Sequence, residues 1–325
     1  MAPAVIGRRG RRNLTCFAAA ALAIAAAACT VDSVFGIGAS TNFAAGTTQH
    51  GIDVGSLTRT YLLHVPARRG TSTSGTLLPY PLVIMLHGSS ATGSDIEHLT
   101  NMDSIADVRH WIVAYPNGER GAGGLFPSDW NAGSCCGAAG REGVDDVGFI
   151  TALIAQLSTK LPMDKRRIYV AGFSDGARLA YHLGCTMSAK LAAIGVVSGS
   201  LTDGHCAPAT PLPVVGVHGT NDPTVAYSEP SLTPLSRPVT GVGAQLPPSA
   251  QFWLTVNGCS VGVANQTVDI THTTFTGCTG ANVSFYTLTG GVHAWPVLVP
   301  GATGASDSEL SASVVIADFF SRHVR

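Results

Sequence analysis
Residues 170–177 read Val-Ala-Gly-Phe-Ser-Asp-Gly-Ala and place Ser174 at the centre of a G-x-S-x-G frame. An apolar stretch, Ile168-Tyr169-Val170, precedes the frame, and a helix-like stretch, 177–183, follows it. Strand, sharp turn and helix are what a nucleophile elbow requires. The serine sits at a strained corner with its hydroxyl exposed, and only glycine lets neighbouring backbone pass that close. The chemistry on offer is attack of a serine oxygen on a carbonyl carbon.

A serine hydroxyl is a weak nucleophile until a histidine takes its proton, and that histidine needs a carboxylate to orient it. On an elbow of this kind the acid and then the base follow the serine in the chain. Residues 213–219, Pro-Val-Val-Gly-Val-His-Gly, read as a buried strand followed by Thr220-Asn221-Asp222. Asp222 therefore stands on a loop at a strand's carboxyl end, where open α/β sheets carry their sites. Further on, Tyr286-Thr287-Leu288-Thr289 runs into Gly290-Gly291-Val292-His293, which holds His293 just beyond a second strand end. His293 is the expected base and Asp222 the expected acid.

The chain has 11 histidines, so the others need a reading too. His87 and His218 precede glycines at strand ends and read as structural, as does His182 in the helix after Ser174. His50, His64, His98, His110, His205, His272 and His323 have no supporting context. The rival acids Asp145, Asp146 and Asp203 precede the elbow or the relevant strand. An early apolar run, 81–86, ends in His87-Gly88-Ser89-Ser90 and reads as a strand buried on both faces. The N–H of Ser89, with that of Asp175 just after the nucleophile, is expected to hold the developing oxyanion.

Positioning these groups takes alternating strands and helices. An edge strand is expected over 58–65, strands at 81–86, 111–115, 167–171, 192–197 and 213–218, and strands again at 266–275 and 282–288. Helices are expected near 95–106, from Asp145 through 161, after the elbow, and at 249–257 and 307–322. Asp145 should cap its helix, with Asp146 complementing the positive end. The Gly-rich segment 117–143 is too long for a simple connector. It holds Trp130, which together with Trp295 is a candidate wall for an aromatic or sugar-bearing substrate, a packed role being the alternative. A second insertion, 224–250, is rich in Pro, Ser and Thr. The fold class is α/β, with a mostly parallel central sheet flanked by helices.

Six segments together resemble the polyhydroxybutyrate-depolymerase-like secreted esterases, a family that includes many feruloyl and acetylxylan esterases. They are L-H-G-S-S at 86–90, W-N-A-G-S-C-C-G at 130–137, V-D-D-V-G-F-I at 144–150, Y-V-A-G-F-S-D-G-A at 169–177, H-G-T-N-D at 218–222 and G-G-V-H-A-W-P at 290–296. The family often shows three glycines before the last histidine, where this chain has Gly290-Gly291-Val292. The resemblance implies an α/β-hydrolase fold and a secreted enzyme hydrolysing carboxylic esters through an acyl-enzyme. The substrates implied are feruloyl or acetyl esters of plant polysaccharide, or polyhydroxyalkanoate-type esters. A serine peptidase or acyltransferase on the same scaffold is the alternative, and a catalytically silent binding protein a more distant one.

Composition agrees with an exported enzyme. The net charge is −1 and only 12% of the 325 residues are charged, so no basic surface argues for nucleic acid. Arg8, Arg9, Arg11 and Arg12 precede an apolar stretch, 14–28, too short to span a bilayer but suited to a signal peptide. The expected organisation is a leader over 1–28, a flexible tether over 29–50 and one catalytic domain over 51–325. Ala26-Ala27-Ala28-Cys29 resembles a bacterial lipobox, so Cys29 either carries a lipid anchor or is passed over by plain cleavage among the alanines. Of the remaining cysteines, local spacing suggests Cys185–Cys206 and Cys259–Cys278 as disulfides. Cys135 and Cys136 are then either free or joined to each other. No metal-ligand spacing accompanies them, and the chemistry needs no cofactor. The partner is an ester substrate, small or oligomeric, met by a monomer.

Overall fold
Strands buried on both faces set the frame. In a computed structural model that describes residues 43–121, 128–298 and 310–325, all seven residues of the strand Tyr80–Leu86 are buried. Alternate residues face opposite sides: Leu82, Ile84 and Leu86 enter one hydrophobic cluster, Val83 and Met85 the other.

The chain begins with a hairpin, β1 (Gly46–Val54) and β2 (Leu57–Val65), paired in antiparallel register from Gly46 opposite Val65. Strand β3 (Tyr80–Leu86) follows, then helices α1 (Gly93–Thr100) and α2 (Met102–Arg109), and strand β4 (Ile112–Pro116). Helices α3 (Gly137–Glu142) and α4 (Asp146–Lys160) lead to β5 (Met163–Phe173) and α5 (Asp175–Met187). Next come β6 (Ala193–Val197), β7 (Val214–Gly219), α6 (Pro248–Val256), β8 (Gly262–Gln266), β9 (Ile270–Phe275), β10 (Val283–Leu288) and α7 (Ala312–Ser321). The sheet order is β1-β2-β4-β3-β5-β6-β7-β10-β9-β8. From β4 to β10 every pairing is parallel, while the pairs at either margin are antiparallel. Helices α4, α5 and α6 pack on one face through Phe149, Leu153, Leu179, Leu183 and Trp253; α2 and α7 cover the other through Met102, Ala106, Ile316 and Phe320. Among the described residues no helix is long and apolar enough to cross a membrane.

Four expectations change. The strand at 58–65 is not at the edge, because β1 pairs outside it. Part of the stretch read as tether, 46–50, is therefore strand; its Gly and Thr content hid an alternation that buries His50 beside Tyr61. The helix near 95–106 is two helices, broken where Asn101 adopts φ 47°. The strand at 266–275 is the hairpin β8–β9. Asp145 does cap α4, accepting the Gly148 N–H at 2.7 Å. Asp146 does more than complement the helix end: buried, it pairs with Arg59 Nη2 at 2.7 Å and accepts the Asn131 N–H at 2.7 Å. The proposed leader 1–28, the lipid-bearing Cys29 and the rest of the tether up to 42 lie outside the described residues.

Candidate active site
The nucleophile corner is built by close backbone packing. A Cβ on Gly172 would run into the Gly176 carbonyl, and one on Gly176 into the carbonyls of Leu86 and His87. Between them Ser174 adopts φ 56° and ψ −118°, a region that L-residues rarely occupy. The corner is held by the Ser174 N–H donating to Val197 O at 3.0 Å, and by α5 starting at once with Asp175. Ser174 thus projects from the carboxyl end of β5, at the centre of the sheet.

The other two groups arrive on loops at the carboxyl ends of β7 and β10. These adjacent parallel strands carry their loops out together, and hydrogen bonds stitch the loops to each other. Thr220 N–H donates to Leu288 O at 2.9 Å, Asn221 N–H to Gly291 O at 2.9 Å, and Gly290 N–H to Thr220 Oγ1 at 2.9 Å. Gly219 is needed because any side chain there would strike the Gly291 carbonyl. Ser174 Oγ lies 2.9 Å from His293 Nε2, and His293 Nδ1 lies 2.8 Å from Asp222 Oδ2. With the carboxylate accepting from Nδ1–H, Nε2 is left free to accept the serine proton. The Phe173 ring packs 4.9 Å from the imidazole and limits its rotation.

Asp222 is buried, which by itself would raise its pKa. Hydrogen bonds from His293 and from the Val225 and Thr224 amides, the latter two at 2.9 Å to Oδ1, outweigh burial and hold the carboxyl below its ordinary range. A second histidine, His218, sits with Nε2 3.2 Å from Asp222 Oδ2 and 2.9 Å from Val225 O. Burial lowers its pKa, so it stays neutral and donates Nε2–H. Its reading as structural fits this place, though nothing in the sequence signals its contact with the acid.

The early loop, His87 to Ser90, faces the same cleft. No protein acceptor among the described residues takes the N–H of Ser89 or of Asp175. The second is one of the unpaired donors at the start of α5. Three consecutive residues grip this loop from the long segment after β4. Ser128 O accepts the Ser90 N–H at 2.8 Å, Asp129 Oδ1 accepts the Ser89 hydroxyl at 2.5 Å, and Trp130 Nε1–H donates to His87 O at 2.9 Å. From below, the Gly118 N–H donates to His87 Nε2 at 2.9 Å while His87 Nδ1–H donates to Gly88 O at 2.7 Å. Burial pushes His87 down to about 4, which keeps the neutral form that these two bonds require.

The cleft beside Ser174 holds about 310 Å³ and is walled chiefly by Ile96, Leu99, Phe173, Thr224 and the Gly88-Ser89 turn. The two tryptophans are not among its walls, and this corrects the pocket role expected of them. Trp130 is 0% exposed, its ring 4.7 Å from His87; Trp295 is 3% exposed, its Nε1–H donating to Ser313 Oγ at 3.0 Å. Both are scaffold. Sequence reading missed Ile96 and Leu99, whose signal was their spacing of three on the helix after the early loop, and Phe173, which lies inside the G-x-S-x-G frame. Trp130→Ala and Trp295→Ala should each cost about 3–5 kcal/mol of stability. Activity on large and small esters should then fall together as folded protein is lost, and melting temperatures measured beside kcat/KM for both ester sizes will check this.

Among the described residues the cysteines are joined as Cys185–Cys206, Cys259–Cys278 and Cys135–Cys136. The adjacent pair lies against Arg178, whose Nη1 is 3.6 and 3.8 Å from the two sulfurs and whose Nη2 meets both Glu229 oxygens at 3.0 and 3.1 Å. Cys135, Cys136 and Asp175 come close enough to share an ion. Bonded to each other, the sulfurs offer no thiolate for a metal.

Known proteins resemble this chain in sequence and in fold. The family described as esterase PHB depolymerase matches residues 61–233. Feruloyl esterase B of Piromyces equi is 31% identical over 221 residues, 66% of this chain, which spans only 39% of that relative's length. Feruloyl esterase C of Emericella nidulans is 29% identical over 254 residues, covering 75% of this chain and 82% of its own. In structure, the acetyl xylan esterase from Aspergillus awamori aligns with a TM-score of 0.53 at 16% identity, over 77% of this chain and 95% of that one, a likeness of fold. The match over more than half its length, on an α/β-hydrolase sheet carrying a Ser174–His293–Asp222 relay, makes this chain a member of the esterase PHB depolymerase family.

Proposed function
We propose that the chain is a secreted serine esterase that hydrolyses carboxylic esters through an acyl-enzyme. The observation that carries this is the unbroken hydrogen-bond relay from Ser174 through His293 to Asp222, at the wall of an apolar cleft. His293 removes the serine proton as Oγ attacks the ester carbonyl, and the tetrahedral oxygen is taken by the Ser89 and Asp175 amides. The alcohol leaves with the proton from His293. Water, activated by the same imidazole, then attacks the acyl-enzyme and regenerates Ser174.

The substrate class is feruloyl or acetyl esters of plant polysaccharide, ahead of polyhydroxyalkanoate-type esters. Ile96, Leu99 and Phe173 offer apolar area to a cinnamoyl ring, and relatives bearing the name feruloyl esterase support the choice. Leu99 is 41% exposed at the cleft, so Leu99→Ala can be made without emptying the core. It should lower kcat/KM for methyl ferulate by about tenfold, the worth of a few buried methylenes, and leave p-nitrophenyl acetate within about threefold. Methyl ferulate, acetylated xylan and hydroxybutyrate oligomers assayed side by side test the class. A preference for the hydroxybutyrate oligomers would overturn it.

Export rests on the leader over 1–28, with Cys29 a lipid-bearing or passed-over residue, and on three bonded cysteine pairs of a kind that persists in oxidising compartments. The lipobox-like run Ala26-Ala27-Ala28-Cys29 supports a bacterial host. The mass of the mature amino-terminal peptide separates lipidation from plain cleavage.

A further inference from the structure
We propose that Asp129 is a positioning residue for the oxyanion hole: its carboxylate takes the Ser89 hydroxyl and so aims the Ser89 N–H at the developing oxyanion. This rests on the esterase reading above. Ser89 itself is exposed on the cleft wall, whereas Asp129 is 4% exposed and cannot reach bulk solvent to satisfy its oxygens. Its second oxygen accepts the Ala138 N–H at 3.3 Å, and a side chain on Gly137 would collide with the carboxylate. Its backbone is fixed by a reciprocal pair with Glu119, Asp129 N–H to Glu119 O at 2.9 Å and Glu119 N–H to Asp129 O at 3.1 Å. A rigid anchor thus meets a mobile type of group, a serine side chain on a loop.

The loop needs such an anchor. Ser90 adopts φ 62°, a left-handed conformation that a serine holds only when its surroundings over-determine it. The restraints come from both sides of Ser89: Ser128 O holds the Ser90 amide, and Trp130 Nε1 and the Gly118 amide hold His87. At Ser89 itself the restraint is the hydroxyl bond to Asp129, a short charge-assisted one and so a directional one. The Asp129 charge cannot itself favour a negative transition state, so its contribution is geometric. That separates it from the hole's own donors and fixes the expected pattern.

Purified full-length wild type, Ser89→Ala, Ser89→Thr, Asp129→Ala, the Ser89→Ala/Asp129→Ala double variant and Ser174→Ala are to be compared. The readouts are kcat and KM on p-nitrophenyl acetate, inhibition by phenylboronic acid, which forms a tetrahedral adduct at the serine, and melting temperature. One oxyanion donor is worth about 10²–10³ in kcat, so misaiming it in Asp129→Ala should cost about 10². KM should stay within about threefold, and boronate affinity should fall with kcat. Ser89→Ala should fall in the same way, the double variant should be no worse than Asp129→Ala by more than about threefold, and Ser89→Thr, which keeps the hydroxyl, should lose about tenfold less kcat than Ser89→Ala. Unchanged kcat and boronate affinity in Ser89→Ala, or equal losses in Ser89→Thr and Ser89→Ala, would overturn the positioning role alone. Esterase activity surviving Ser174→Ala would overturn the esterase reading and this inference with it.

Discussion

Replacing Ser174 or His293 with alanine should lower kcat on p-nitrophenyl acetate by on the order of 10⁶ in each case, and combining the two should cost little more. The reason is in the geometry. Ser174 Oγ and His293 Nε2 lie 2.9 Å apart, so the nucleophile exists only as a pair: the oxygen without its base, or the base without its oxygen, performs neither half of the step. What survives is the catalysis supplied by the oxyanion donors and by binding, roughly 10³ over water. Neither change should unfold the protein. Ser174→Ala removes one oxygen from a corner held by backbone bonds to Val197, and His293 is only partly buried. Circular dichroism and melting curves recorded beside the kinetics check that. A double variant far slower than either single one would mean that the two residues act separately, which the relay does not allow.

Asp222→Asn should cost about 10⁴ in kcat while leaving the fold intact. Asp222 Oδ1 accepts two backbone amides, from Thr224 and Val225, both at 2.9 Å. An asparagine at this site keeps its oxygen on those amides and so turns its nitrogen toward His293. Two donors cannot face each other, so Nδ1 must become the acceptor and the ring proton moves to Nε2. That tautomer cannot take the Ser174 proton. His218, with Nε2 3.2 Å from Asp222 Oδ2, does not substitute, since its Nε2–H is committed to Val225 O at 2.9 Å. A rate within tenfold of wild type would remove Asp222 from the role given to it here.

The relay was legible in the chain because each member is announced by local backbone demands. Ser174 needs glycines two residues to either side, Asp222 and His293 follow strands, and Gly219 and Gly290-Gly291 are the residues that let the two loops touch. The machinery behind the early loop was not legible, for the opposite reason. Ser128, Asp129 and Trp130 act about 40 residues away from His87, Ser89 and Ser90, and no local pattern states which way a tryptophan ring or a carboxylate will turn. Trp130 was therefore expected at the substrate and is found bonded to His87 O. Asp146 shows the same gap: its place beside Asp145 suggests a helix end, but its partner Arg59 lies on the hairpin 87 residues earlier. Strand β1 was hidden by its composition, because its glycines are poor strand formers and it carries few apolar residues to alternate, and pairing with β2 overrides that local preference. The apolar walls Ile96 and Leu99 became visible only when α1 was placed over the nucleophile.

The central claim, that Ser174 carries the acyl group of a cleaved ester, has a direct measurement. The enzyme is mixed with excess p-nitrophenyl acetate, quenched in acid within the first turnover, digested and mapped by mass spectrometry. One acetyl group per chain on the peptide containing Ser174, absent from Ser174→Ala, is the result expected. Rapid ester hydrolysis with no acetyl on that peptide, or with the acetyl on another residue, would contradict it.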